Sequence, residues 1–207
     1  TSLWLVRSDG HIIEFVLPHC PPPWQAESSA SGISLREPRD LAVSPHGWFA
    51  AVDTQNHRIR WFSPEGECLD QFGSEGAGLG EFLEPSGLAL APDGTLSITD
   101  TWNGRIQLIR PDGTLEAFGQ GLFGPRDALW SGDSLLVADT GNRQILRFDP
   151  PDWGQTVVAT LPGPVVGLAP TMGAVAAAVP VDGGILLVKR PDGPRVSDGL
   201  IVIRTPH

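Results

Sequence analysis

Asp53-Thr54-Gln55-Asn56-His57-Arg58-Ile59, Asp100-Thr101-Trp102-Asn103-Gly104-Arg105-Ile106 and Asp139-Thr140-Gly141-Asn142-Arg143-Gln144-Ile145 align with one another without a gap. Weaker copies flank them, one running from Val6 to Ile12 and one from Val179 to Ile185. The closing isoleucine serves as a marker. It falls at Ile12, Ile59, Ile106, Ile145 and Ile185, with spacings of 47, 47, 39 and 40 residues. A period of this size is the mark of a repeat architecture. Each repeat is one small supersecondary unit that cannot bury its own faces and must stack on its neighbours.

The residues around the markers keep step. Pro38, Pro85, Pro125 and Pro164 each precede an apolar segment, at Leu41-Ala42-Val43, Leu88-Ala89-Leu90, Ala128-Leu129-Trp130 and Val166-Gly167-Leu168. Turn residues follow, as in Ala91-Pro92-Asp93-Gly94. A second apolar segment leads into each Asp-Thr, and a third begins at the marker. A fourth follows a Pro-Asp-Gly turn such as Arg110-Pro111-Asp112-Gly113. Proline presets φ for such a turn and glycine accepts positive φ after it. Each unit therefore reads as four short antiparallel strands. The chain is an all-β protein, a β-propeller of four-stranded blades arranged around an axis. The residue shared by all five copies (Asp9, Asn56, Asn103, Asn142 and Asp182) is expected in the turn before the third strand. There Asn and Asp tolerate a left-handed backbone and bond their own main chain.

The ends suggest how the ring closes. Leu3-Trp4-Leu5-Val6 reads as a second strand, so the first blade begins without its innermost strand. Gly199-Leu200-Ile201-Val202-Ile203-Arg204-Thr205-Pro206-His207 echoes the first strand and turn at Asp40-Leu41-Ala42-Val43-Ser44-Pro45-His46. Placing it in the first blade would remove two open sheet edges, which are aggregation liabilities. The expectation is one propeller domain over 1–207, of five blades, with the first completed by the C-terminal strand. The alternative is a piece of a longer propeller.

Composition narrows the function. The 207 residues carry a formal charge of −10, and Lys189 is the sole lysine. An acidic chain without a basic run disfavours nucleic acid and anionic lipid. No stretch approaches the ~20 apolar residues that span a bilayer, so direct membrane insertion is not expected. The first residues lack the charged start and apolar core of a signal peptide, which leaves the compartment open. Cys20 and Cys68 fall at near-equivalent peripheral places on adjacent blades. Packed sheets lie ~10 Å apart and a disulfide needs its Cα atoms within ~7 Å, so both are expected as free thiols.

The string Glu84-Pro85-Ser86-Gly87-Leu88-Ala89-Leu90-Ala91-Pro92-Asp93-Gly94, ending in Asp100-Thr101-Trp102-Asn103-Gly104-Arg105-Ile106, resembles the NHL repeat. The resemblance covers roughly residues 36 to 150. It implies a ring of blades, although members of that family are often six-bladed. It implies no single activity. NHL propellers include protein binders, RNA binders with a basic face and ligand-sensing ectodomains, and related propellers are lyases or lactonases.

In such propellers the face formed by the fourth-to-first and second-to-third strand loops commonly binds ligands. The candidate binding residues on that face are Arg39, Asp40, His57, Trp102, Arg105, Arg126 and Asp127. Trp102 stands out, because Gln55 and Gly141 hold the equivalent place and the turn itself needs no aromatic residue. Its bland alternative is packing on a neighbouring blade. Arg39-Asp40 and Arg126-Asp127 repeat one Pro-Arg-Asp pattern, which presents charge at the channel mouth or caps the following strand. Recurrent Asp53, Asp100 and Asp139 read as turn acceptors rather than as an acid or base. The histidines do not converge by this mapping, there is no nucleophile elbow or phosphate loop, and no dedicated Ca²⁺ loop is seen. No catalytic residue, metal ligand or cofactor is assigned, and Ca²⁺ held in the channel by Asp carboxylates or backbone carbonyls is left as an open alternative. The leading reading is a binding or scaffold propeller for a protein, peptide or glycan. The alternative is a small-molecule lyase or lactonase with a metal-assisted site at the channel mouth.

Overall fold

The structure, a computed structural model, describes residues 35–171 and the strands 2–6, 12–16, 174–179, 184–189 and 201–204. Among the described residues there are five antiparallel sheets. The first pairs β1 (Ser2–Val6) with β2 (Ile12–Val16). The second holds β3 (Leu41–Val43), β4 (Phe49–Asp53), β5 (Arg58–Phe62) and β6 (Cys68–Phe72). The third holds β7 (Gly87–Leu90), β8 (Leu96–Asp100), β9 (Arg105–Ile109) and β10 (Leu115–Phe118). The fourth holds β11 (Pro125–Ser131), β12 (Ser134–Asp139), β13 (Gln144–Asp149) and β14 (Gly154–Thr160). The fifth holds β15 (Gly167–Thr171), β16 (Ala174–Val179), β17 (Gly184–Lys189) and β18 (Ile201–Arg204). In the four-stranded sheets neighbours in space are neighbours in sequence, as in a meander. These are propeller blades, and the innermost strands β3, β7, β11 and β15 run side by side along the axis.

The second strand of each blade shows why the sheets stack. Side chains alternate between faces along a strand, so a strand covered on both sides reads as a continuous apolar run. In β12, Leu135 and Val137 enter the layer shared with the third sheet, beside Ile106, Leu108 and Phe118. Leu136 and Ala138 enter the layer shared with the fifth, beside Val175 and Ala177. In β4, Ala50 and Val52 face the third sheet, while Phe49 and Ala51 pack with Leu35 and Phe62 on the other side. Phe49 and Phe62 stack with ring centroids 5.0 Å apart.

The C-terminal strand differs from the sequence expectation. Ile201–Arg204 pairs antiparallel with β17, placing Ile203 opposite Ile185 and Val202 opposite Leu186. It is the outer strand of the fifth sheet and not the inner strand of the first, and β1–β2 is a two-stranded sheet among the described residues. The sequence holds the reason. Arg190-Pro191-Asp192-Gly193 repeats Arg110-Pro111-Asp112-Gly113, the string that connects a third strand to a fourth. An antiparallel strand that follows its neighbour directly in sequence pairs with it in preference to crossing the ring.

A second correction concerns the shared Asn. Asn56 and Asn103 lie inside three-residue 3-10 turns, and the left-handed residue is the next one, His57 (φ 54°) or Gly104 (φ 61°). Arg143 (φ 58°) fills that place in the fourth blade. The Asn amide donates to the preceding Asp carboxylate and not to its own backbone. Asp9 and Asp182 lie outside the described residues. Cys68 is a free, exposed thiol, and Cys20 also lies outside.

Gly87 sits where two inner strands approach most closely. A Cβ there would come within 2.6 Å of the Arg126 carbonyl oxygen and 2.9 Å of the Asp127 Cα, both backbone atoms. At Gly167, one blade pair further on, the nearest atom is the Ala178 Cβ at 3.6 Å. Gly87→Ala should therefore destabilise the fold by about 1–3 kcal/mol. Gly167→Ala should leave the melting temperature nearly unchanged. Thermal denaturation of the two variants checks this, and equal melting temperatures would refute the close approach.

Candidate functional site

The Asp-Thr turns position everything on the loop face. Each Asp side chain accepts a backbone N–H from the strand-entry loop of its own blade. Arg36 N donates to Asp53 at 2.7 Å, Leu83 N to Asp100 at 2.8 Å and Phe123 N to Asp139 at 2.7 Å. Each following Thr hydroxyl donates across to the next blade. Thr54 reaches the Pro85 carbonyl at 2.9 Å, Thr101 the Pro125 carbonyl at 2.9 Å and Thr140 the Val165 carbonyl at 2.5 Å. Ser86 adds a bond to the Arg126 carbonyl at 3.0 Å and touches the Thr101 hydroxyl at 2.6 Å. Buried backbone groups are thus paired, as low-dielectric surroundings require. The face is consequently rigid in backbone.

The predicted residues sort into three places on it. Trp102 is exposed, at 59% of its full surface, and its Nε1 donates to Glu84 Oε2 at 3.1 Å. It does not pack into the neighbouring blade. Arg39 and Arg126 are exposed on the same face, with Arg39 in a loose 3.7 Å ion pair with Glu37. His57 and Arg105 stand behind it. The His57 Nδ1 accepts the Glu84 N–H at 3.0 Å. Arg105 is buried, with Nε on Asp100 at 2.8 Å and its terminal nitrogens on the Ala77, Gly78 and Glu81 carbonyls. Arg105 therefore anchors the 73–86 loop from a buried position.

Asp40 and Asp127 form the third group. Each binds its own strand and reaches the next. Asp40 accepts from Leu41 N at 2.8 Å and from Leu88 N at 2.7 Å. Asp127 accepts from Ala128 N at 2.7 Å and from Leu168 N at 2.6 Å. The equivalent residues in the third and fifth blades are Gly87 and Gly167, so Asp and Gly alternate along the four described inner strands. The two carboxyls stand at the mouth of an axial cavity of about 300 Å³, lined further by Val43, Leu88, Trp130 and Leu168. Burial pushes the Asp40 carboxyl up to about 7, helped by the Asp127 charge and opposed by its two N–H donors. Burial likewise pushes Asp127 up to about 6, against the donors Leu168 and Ala128.

Phe123 is the residue that sequence reasoning missed. It is 62% exposed, in the loop entering β11. That loop lies beside the Trp102 turn, because Thr101 is bonded to Pro125 two residues further on. Its ring covers Gly141, where a Cβ would come within 2.3 Å of Phe123 Cδ1. The signal was present in the sequence as a phenylalanine where the equivalent loops carry Arg36 and Leu83. Among the described residues no three His, Cys, Asp or Glu side chains are grouped to hold a metal ion.

No family profile and no curated protein matches the chain. Solved structures do. A streptogramin B lyase is 17% identical over all of this chain and 66% of its own, with a TM-score of 0.75. A chain of a nidogen/laminin complex is 18% identical over 99% of this chain and 78% of its own, with a TM-score of 0.79. The RRP9 WD40 repeats are 13% identical over 93% of this chain and 58% of their own, with a TM-score of 0.71. The chain spans just under two thirds of that lyase. Likeness at these identities establishes the β-propeller fold, which is shared by binding scaffolds and an enzyme alike.

A carboxyl with a raised native pKa favours the folded state while it is protonated. That contribution is complete below the unfolded value of 3.8 and is lost as pH rises through about 6 and 7. Stability should therefore fall between pH 4 and pH 8 through these two groups. In Asp127→Asn the Asp40 midpoint should drop below about 7, since the neighbouring charge is gone. Carboxyl ¹³C titration of the folded variant measures it, and an unmoved Asp40 midpoint would show that the pair is not coupled.

Proposed function

We propose that this chain is a binding platform that recognises a protein, peptide or glycan with its loop face, and that Trp102 and Phe123 are its anchors. One observation carries this reading. Two large aromatic side chains are exposed on adjacent loops whose backbone is already fixed by the Asp and Thr side chains. Neither turn needs an aromatic residue there, and exposed aromatics on rigid backbone are the usual anchors of recognition surfaces. Arg39 and Arg126 supply charged groups on the same face. A protein partner also agrees with the chain of a nidogen/laminin complex found among the structural relatives.

The repeat is read as NHL-type on the strings around Pro85 and Asp100, and nucleic acid and membrane are not the expected partners of so acidic a chain. The lyase or lactonase reading draws less support from the site. Each Asp40 and Asp127 oxygen already accepts one backbone N–H, and the Nδ1 of His57 accepts that of Glu84.

A random-peptide display library panned against the protein gives ligands whose affinity is then measured on variants. Trp102→Ala and Phe123→Ser should keep the melting temperature and weaken those ligands by about 2 kcal/mol, roughly thirtyfold. Peptides that bind both variants as well as the parent would exclude the loop face. Unfolding of Trp102→Ala would return Trp102 to the core.

A further inference from the structure

The opposite face carries a second cavity, independent of the loop-face reading. It has a volume of about 360 Å³ and opens between the third and fourth blades, among the turns that connect β7 to β8, β11 to β12 and β13 to β14. Its walls are Trp130 and Trp153, flanked by Pro92 and Pro150, and its rim carries Asp93 and Asp133.

Both indoles are held from behind. Trp130 Nε1 donates to the Ala89 carbonyl at 3.2 Å. Trp153 Nε1 donates to Glu116 Oε1 at 2.6 Å, and Glu116 Oε2 accepts from Arg110 Nη2 at 2.7 Å. One face of Trp153 lies flat on Phe118, with centroids 4.3 Å apart and planes 4° from parallel. Trp130 and Trp153 meet nearly edge to face, at 6.1 Å and 69°. Both remain partly exposed although their N–H groups are used, so what they offer a ligand is aromatic surface in a fixed orientation. Arg110, the cation in the lining, is matched by Glu116. The rest of the charge is negative. Asp93 and Asp133 are exposed at the rim, and Asp152 is exposed next to Trp153. The Asp93 carboxylate is oriented by the Thr95 N–H and hydroxyl. At Gly132 an added Cβ would meet nothing within 4 Å, which leaves that edge open.

Electron-rich aromatic faces beside unmatched carboxylates attract organic cations, and preorganised walls lose little freedom on binding. We propose that this groove binds an alkylammonium group, either a lysine side chain of a partner polypeptide or a free quaternary ammonium ion.

Two probes separate the sources. One is tetramethylammonium chloride, measured against equal sodium chloride. The other is a capped pentapeptide with lysine between prolines, measured against the same peptide with glutamate in place of lysine. Indole N–H signals in ¹H–¹⁵N spectra of the whole chain are the readout. The Trp130 and Trp153 signals should shift saturably with a cationic probe and stay still with the glutamate peptide. Response to tetramethylammonium assigns the groove to a free ammonium ion, and response to the lysine peptide alone assigns it to a polypeptide. Asp133→Arg, in an exposed turn, should weaken binding about tenfold while the fold is kept. The proposal fails if neither cation shifts these two indoles, if Trp102 shifts instead, or if folded Asp133→Arg binds unchanged.

Discussion

The whole arrangement depends on a two-residue clasp. In Asp-Thr the carboxylate closes its own blade by accepting a hydrogen bond from the N–H of the entering loop, and the hydroxyl closes the gap to the next blade by donating one to a carbonyl at the start of the inner strand. Apolar layers hold the sheets together but are indifferent to small slides along one another. Hydrogen bonds of fixed length between named atoms remove that freedom. Because Asp53, Asp100 and Asp139 are buried, their bonds form away from competing water.

The clasp also explains why so much of the fold was readable. It uses the same residue types in the same order in three blades, so the string repeats even where the strands vary. Elements that rest on local chemistry were therefore visible: the strands and the turns, whereas the sequence left Trp102 open between exposure and packing on a neighbouring blade. What was not visible depended on pairing choices between distant segments. The C-terminal strand resembles an inner strand in composition, and only its connection to β17 decides its partner. The Asn of the turn was assigned the left-handed backbone that the next residue adopts, because composition does not distinguish two neighbours in one tight turn. Arg105 looked like a surface cation until its guanidinium was seen to be enclosed by the carbonyls of a loop some two dozen residues earlier.

The same logic divides the molecule by role. Side chains that repeat are spent on holding blades together. Side chains that break the repeat cluster at two places. Trp102 and Phe123 interrupt the pattern on the loop face, and Trp130 and Trp153 interrupt it on the other. Departure from the repeat is thus what the two proposed binding surfaces have in common.

The succession of Asp and Gly along the four described inner strands has a consequence for engineering. Asp40 reaches the strand that Gly87 begins, and Asp127 the strand that Gly167 begins. Two acid-bearing units set side by side would bring a side chain into the space that Gly87 leaves vacant against its neighbour's main chain. The constraint is local to one seam: a blade placed before the Asp127 strand must bring a residue without a Cβ at the Gly87 position, whereas the Gly167 position has room for a methyl group.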